Sequence, residues 1–252
     1  MNRRAQAVTM LLLGGALLRA TFADLHLRYV KEALGPFLIA AGAVLVAAGA
    51  MTLWYDLFGS KADAAADLPE CADDGHSGED GHGQRVHKEP RVGWMLLLPV
   101  LGLLLVSPPA LGAYAAGQAG SALSTQQQSD FPALPPGDPI ALNVSDYAAR
   151  AVFDKGVSLQ GRTVELTGFL AANPEGGQYL ARMVLSCCAA DGRPIKVGLA
   201  GDAPTGQADD RWVKITGVYN DRIGADPVNK SQIPYLQVTA WAPTEQPRNP
   251  YE

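Results

Sequence analysis

The chain has 252 residues, of which 48% are hydrophobic, and its formal net charge is −5. This length allows one or two domains, and the charge balance argues against a polyanion as partner. The three cysteines, Cys71, Cys187 and Cys188, do not form a disulfide framework. Apolar runs precede Leu111 and an ordinary soluble composition follows Pro139, so we expect a membrane part and then a soluble part.

Three apolar stretches are each about as long as the ~20 residues that a membrane-spanning helix needs. We predict transmembrane helices at about 5–23, 34–55 and 93–111. The second is the clearest, because it has no charged residue and its Gly42 and Gly49 favour close helix contact. The first also has the basic start of a signal peptide, but it lacks a clear cleavage site, so we interpret it as a spanning helix.

The polar loop at 56–92 contains side chains that bind transition metals. Its residues 56–91 include nine acidic and four basic residues. The candidate ligands are Cys71, His76, His82 and His87. Imidazole and thiolate groups suit zinc and related ions, although this spacing matches no closed zinc-finger pattern. The alternative is a disordered acidic linker that binds nothing specific.

The third helix is expected to end at Pro108-Pro109, and residues 112–139 are then rich in Ala, Gly, Ser, Gln and Pro. This composition predicts a flexible linker. Lys and Arg near the helix ends are concentrated on the side that holds the N-terminus and the loop at 56–92. The positive-inside rule therefore predicts a multi-pass cell-membrane protein whose histidine-bearing loop is cytoplasmic and whose C-terminal domain is extracytoplasmic.

Residues 140–246 are predicted to form an all-β or α+β domain, an OB-like small barrel, followed by a tail at 247–252. Strand patterns occur at 163–170, 179–187, 195–199, 212–219 and 235–240. A short helix at 145–155 has Ser145 as its expected N-cap. Eleven basic and twelve acidic residues are interspersed over residues 140–252, which argues against nucleic-acid binding.

The most informative stretch is 182–191, which begins as a strand and then presents Cys187, Cys188, two alanines and Asp191. Two thiols and a carboxylate suit a soft metal ion or thiol exchange. The alternative is a pair of buried structural cysteines. Redox catalysis is the weaker interpretation, because the Cys-x-x-Cys spacing is absent and no His or Lys adjoins the pair.

These features together resemble the YcgQ-like family of bacterial membrane proteins. The resemblance is carried by Pro108-Pro109 after the third helix, by the runs 161–169 and 212–217, and most of all by 182–191. It implies a permease subunit that works beside a larger YcgR-type permease and is sometimes linked to zinc limitation.

The leading hypothesis is a non-enzymatic accessory subunit of a membrane transport system. Its three helices would pack on an integral membrane permease, and its barrel would receive, bind or gate the cargo outside the bilayer. A membrane-tethered protein-interaction module with structural cysteines is the alternative, and a thiol redox protein is the weaker third. No phosphate-binding loop, Ser-His-Asp set or dinucleotide fingerprint is visible in the sequence.

Overall fold

The computed structural model describes residues 3–58, 102, 109–123 and 131–252. The chain divides into two units. The first comprises Met1–Ala20 and Phe37–Pro108, and the second comprises Thr21–Pro36 and Pro109–Glu252. The residues between the first two predicted helices therefore belong to the same unit as the C-terminal domain.

The first unit contains most of two helices, α1 (Arg3–Phe22) and α2 (Gly35–Phe58). Both are long and apolar enough to cross a membrane, which agrees with the first two predicted helices. The third predicted helix, at 93–111, and the loop at 56–92 lie largely outside the described residues.

Helices α1 and α2 approach each other closely at glycines. A Cβ atom added to Gly14 would lie 2.8 Å from Val46 Cγ2, and one added to Gly42 would lie 2.9 Å from Leu18 Cγ. These distances are too short for carbon atoms in contact, so the glycines permit the approach. Close packing through small residues is typical of membrane helices and was expected at Gly42.

The second unit contains a five-stranded barrel with an additional short strand and two helices. The elements are α3 (Ala113–Gln118), β1 (Ile140–Leu142), α4 (Val144–Phe153), β2 (Thr163–Ala172), β3 (Gln178–Val184), β4 (Arg193–Gly201), β5 (Trp212–Ala225) and β6 (Gln232–Pro243). Strand β2 pairs with β3 and β5, and the ring closes in the order β2-β3-β4-β6-β5. The β4–β6 pair is parallel and the other pairs of the ring are antiparallel.

The core of the second unit lies between α4 and the barrel interior. Tyr147 of α4 is fully buried, and its hydroxyl donates a 2.6 Å hydrogen bond to the Tyr235 carbonyl. Side chains from several strands, including Leu166, Val197 and Leu236, complete this cluster. The alternation predicted at 163–170 corresponds to buried and half-buried positions in the first half of β2, whereas the central residues of β3 and β4 are all buried.

The N-terminus of α4 differs from the expectation. The N-cap residue is Asn143, two residues before the predicted N-cap Ser145, and its side chain makes no capping bond. The Glu252 carboxylate instead accepts hydrogen bonds from the backbone N–H groups of Val144 and Ser145, each at 2.9 Å. The prediction that Ser145 caps this helix was wrong, because a carboxylate distant in sequence satisfies the free N–H groups.

Described parts of the predicted linker and of the predicted tail pack into the second unit. The expected linker at 112–139 includes α3, whose Ala113 and Ala116 are buried. In the expected tail at 247–252, Tyr251 is buried and bridges to Met183 of β3. Both segments therefore contribute to the core next to the strand that leads to the cysteine pair.

A buried ion pair attaches the segment after α3, residues 119–121, to the barrel. Lys196 Nζ lies 2.9 Å from Asp226 Oδ2, and their side chains are 4% and 0% exposed. Asp226 also accepts hydrogen bonds from the Ser121 and Val228 N–H groups, while Lys196 donates to the Ala119 carbonyl. Both charges are thus paired and hydrogen-bonded, which offsets the free-energy cost of removing them from water.

We expect Asp226→Ala to lower the free energy of unfolding by about 3–5 kcal/mol, because it leaves the buried Lys196 ammonium without an opposite charge. Denaturant titration of the detergent-solubilised chain, followed by tryptophan fluorescence, measures this change. Lys214→Ala is the matched control, because its pair with Glu165 is exposed and is worth about 0–1 kcal/mol. Equal losses of unfolding free energy in the two variants would contradict a stabilising role for the buried Lys196–Asp226 pair.

The pH dependence of this pair has a defined sign. Burial raises the pKa of Asp226, but the hydrogen bonds from Lys196, Val228 and Ser121 outweigh it and hold the pKa of this carboxyl below its usual value. The stabilisation is therefore present at neutral pH and is lost as the pH falls through the folded-state pKa.

Candidate functional site

The two cysteines lie on a turn between β3 and β4. Strand β3 ends at Val184, three residues earlier than predicted, and Ala189–Asp191 form one turn of 3₁₀ helix. Cys187 is exposed and Cys188 is half-buried, and both are free. Cys187 is therefore not buried, contrary to the alternative of two buried structural cysteines, and solvent can reach it.

Asp191 organises this turn, which we call the cysteine turn (residues 186–191). Its carboxylate accepts hydrogen bonds from the N–H groups of Ser186 at 2.9 Å, Cys187 at 2.8 Å and Cys188 at 3.3 Å. The Cys187 thiol donates to the same carboxylate at 2.9 Å. These bonds hold the two sulfur atoms 3.7 Å apart on the same side of the turn.

The electrostatics of the cysteine turn oppose thiolate formation in the absence of a cation. The hydrogen bond that the Cys187 thiol donates to Asp191, together with its contact to the Cys188 sulfur, raises the pKa of Cys187 to about 11. The same thiol bond and the backbone N–H bonds lower the pKa of Asp191 to about 2. At neutral pH Asp191 is therefore ionised and Cys187 is a protonated thiol that donates a hydrogen bond to it. A nucleophilic cysteine would instead be a thiolate.

The spacing of the donor atoms fits a tetrahedral metal ion. One ligand atom each from Cys187, Cys188 and Asp191 lie within 4.8 Å of one another. Two zinc–sulfur bonds of about 2.3 Å at the tetrahedral angle place the sulfur atoms about 3.8 Å apart. The observed Sγ–Sγ distance of 3.7 Å matches this value. A zinc-bound sulfur and oxygen are about 3.6 Å apart, so the 2.9 Å Cys187–Asp191 contact would widen as the shared proton leaves.

A second stretch of chain lies against the cysteine turn. The Ala189 N–H donates to the Tyr29 carbonyl at 2.7 Å, and the Lys31 N–H donates to the Cys187 carbonyl at 3.0 Å. Between these bonds, Val30 and Cys188 form an antiparallel bridge. The sequence analysis did not predict this contact. Main-chain hydrogen bonds can be made by any residue, so the sequence of this short charged stretch does not indicate them.

The predicted ligands thus fall into two groups. The structure brings together Cys187, Cys188 and Asp191. The other predicted ligands, Cys71, His76, His82 and His87, lie outside the described residues. Among the residues that the structure describes, no other group of His, Cys, Asp and Glu has this spacing.

Comparison with protein families identifies the C-terminal part of the chain. Residues 123–252, just over half of the sequence, match the model of the DUF1980 C-terminal domain. The chain belongs to the DUF1980 family. The matched region contains the whole barrel and the cysteine turn, and the function of this family is not established. Searches of curated proteins and of solved structures gave no match.

We expect the Cys187 thiol of this DUF1980 protein to react with iodoacetamide at pH 8 at least about tenfold more slowly than a free cysteine. The reason is that a pKa of about 11 leaves little thiolate at that pH. The rate is measured in a Cys71→Ser/Cys188→Ser background, where Cys187 is the single thiol.

Asp191→Asn should accelerate this alkylation by about tenfold, since it removes the negative charge that opposes the thiolate. Asp202→Asn, at the far end of β4, is the matched control and should leave the rate unchanged. A fast rate that Asp191→Asn does not alter would contradict the Cys187–Asp191 hydrogen bond.

Proposed function

We propose that this DUF1980 protein is a membrane-anchored accessory subunit that binds an exchangeable thiophilic metal ion at Cys187, Cys188 and Asp191. The observation that carries the proposal is the 3.7 Å separation of the two sulfur atoms beside a carboxylate. Thiolates favour soft and borderline ions, and zinc suits a mixed sulfur and oxygen donor set.

The exposure of the site supports exchange over a structural role. Structural zinc sites use four protein ligands, whereas this turn supplies three and leaves one coordination position for water or a partner. Cys187 is exposed, so a donor group of a partner can approach the ion. A metal ion held here would be cargo that is received or passed on, and would not be a permanent part of the fold.

The membrane context supports a transport role. Helices α1 and α2 are each long and apolar enough to span a bilayer. With the predicted third helix at 93–111, we place the barrel outside the cytoplasm and the histidine-bearing loop inside it. On the basis of the resemblance to the YcgQ-like family, we propose an integral membrane permease as the partner.

We assign the barrel to the OB type. Its closed order β2-β3-β4-β6-β5, with a single parallel pair between β4 and β6, fits a five-stranded barrel of that kind. Fold alone implies no activity, and the interspersed charges of the domain favour neither DNA nor RNA. The raised pKa of Cys187 disfavours thiol exchange, so we propose a binding role without catalysis.

A protein-interaction module with structural thiols is the second candidate. It is favoured by one observation: Asp191 already satisfies three backbone N–H groups and the Cys187 thiol without a metal ion. In that case the cysteines would only shape the turn, and their replacement would change stability without changing metal content.

We expect the detergent-solubilised full chain to bind one zinc ion at the cysteine turn. The measurement is a competition titration with a chromophoric chelator, made in a background that removes the candidate ligands of the loop. That background carries Cys71→Ser, His76→Ala, His82→Ala and His87→Ala. Adding Cys187→Ser and Cys188→Ser should weaken zinc binding at least about 100-fold, because two of three ligands are lost.

Circular dichroism of each variant checks that the barrel is intact. The isosteric Asp202→Asn variant controls for loss of a carboxylate elsewhere on the barrel and should retain full affinity. Equal zinc affinity with and without the two thiols, in folded protein, would remove the proposed site and favour the interaction module. Copurification from native membranes then tests the permease partner under either outcome.

A further inference from the structure

We propose that metal binding at the cysteine turn is coupled to the docking of the joining segment (residues 23–34), which connects α1 to α2. This inference rests on the proposed function and extends it, because it gives the bound ion a means of influencing the helix pair. The joining segment and the cysteine turn both belong to the second unit.

The joining segment is bonded to the two residues that flank Cys188. Its Tyr29 carbonyl accepts the Ala189 N–H at 2.7 Å, and its Lys31 N–H donates to the Cys187 carbonyl at 3.0 Å. The antiparallel bridge between Val30 and Cys188 lies between these bonds. The main chain of one proposed metal ligand is therefore held directly by the joining segment.

The last residues of the chain hold the joining segment at two further points. The Arg248 guanidinium binds the Asp24 carboxylate with two hydrogen bonds of 2.8 and 2.6 Å. The Tyr251 hydroxyl donates to the Arg28 carbonyl at 2.7 Å. Because Tyr251 also bridges to Met183 of β3, the strand that leads into the cysteine turn and the joining segment share one anchor.

Metal binding must rearrange a hydrogen bond within the cysteine turn, whose backbone pairs with the joining segment. The Cys187–Asp191 contact has to open from 2.9 Å to about 3.6 Å when an ion replaces the proton. Asp191 oxygens also hold the N–H groups of Ser186, Cys187 and Cys188. An ion that fixes both sulfur atoms and this carboxylate removes conformational freedom from the backbone on which the joining segment docks.

The coupling is then positive, and its consequences are reciprocal. A more ordered cysteine turn favours the docked joining segment, and a docked joining segment favours metal binding by the same factor. The ends of the joining segment continue directly into α1 and α2. Metal binding at the cysteine turn would therefore restrict the motion of the end of α1 and the start of α2, which adjoin the joining segment.

Amide hydrogen exchange of the full chain in detergent, with and without zinc, tests this coupling. The variant that lacks the loop ligands serves as the starting protein, so that zinc acts at the cysteine turn alone. We expect zinc to slow exchange several-fold in peptides that cover residues 23–34, and to leave the hairpin between β5 and β6 unchanged. Cys187→Ser/Cys188→Ser should abolish the effect.

Arg248→Ala tests the reciprocal direction. It removes an anchor of the joining segment that touches none of the proposed ligands, and because its side chain is 72% exposed the core should stay intact. Zinc affinity should fall at least about fivefold, within the range typical of coupled sites. Arg222→Ala is the matched control: it removes an equal charge, from an arginine that stacks on Tyr235, and should not alter affinity.

The outcomes separate the two proposals. Zinc binding at the cysteine turn with unchanged exchange at 23–34, or with full affinity in Arg248→Ala, overturns the coupling and leaves the metal site standing. Absence of zinc binding overturns both. Slowed exchange together with the affinity loss in Arg248→Ala supports the coupling.

Discussion

The carboxylate of Asp191 accepts hydrogen bonds from three consecutive backbone N–H groups and from the Cys187 thiol, and the position of both sulfur atoms depends on it. Each of these bonds involves an ionised acceptor, which makes them stronger than bonds between neutral groups. The negative charge is thus stabilised by the chain itself. A cation that enters the site meets a carboxylate that is already ionised and already lies beside the Cys187 sulfur.

Sequence patterns predicted the barrel strands but not the end of β3, and the Asp191 carboxylate explains this difference. Apolar and β-branched runs bounded by turn residues were sufficient to predict the presence of the five barrel strands, because such runs favour extended, buried backbone. The end of β3 was placed three residues late, since nothing in the apolar run at 183–185 shows that the backbone leaves the ladder. It leaves because the N–H groups of residues 186–188 turn towards Asp191, which lies later in the chain.

The grouping of Cys187, Cys188 and Asp191 could be predicted because the three residues are close in sequence. The joining segment could not, since Val30 and Cys188 are brought together by main-chain pairing that any residue can make. The roles of Tyr251 and Glu252 were equally hidden. A tyrosine and a glutamate in a polar tail look solvated until the backbone groups that they satisfy are known.

The joining segment and the stretch after α3 are attached to the barrel in two independent ways. The Lys196–Asp226 pair holds the stretch after α3, and the joining segment is held through main-chain and side-chain bonds at its own residues. A buried pair resists separation because either charge alone would be costly in the interior. Exposed bonds such as Asp24–Arg248 are individually weak, so the docking of the joining segment is the more easily shifted of the two attachments.

This difference bears on how a metal ion could be passed on. Transfer between proteins proceeds most readily when a partner's ligand can enter an open coordination position before a resident ligand leaves. The cysteine turn supplies three donors and an exposed sulfur, which meets that requirement. A rigidly enclosed site would hold the ion more tightly but would offer no entry to the partner. Because the weaker attachment adjoins the site, the proposed loading and release would act on the joining segment and would leave the buried pair unchanged.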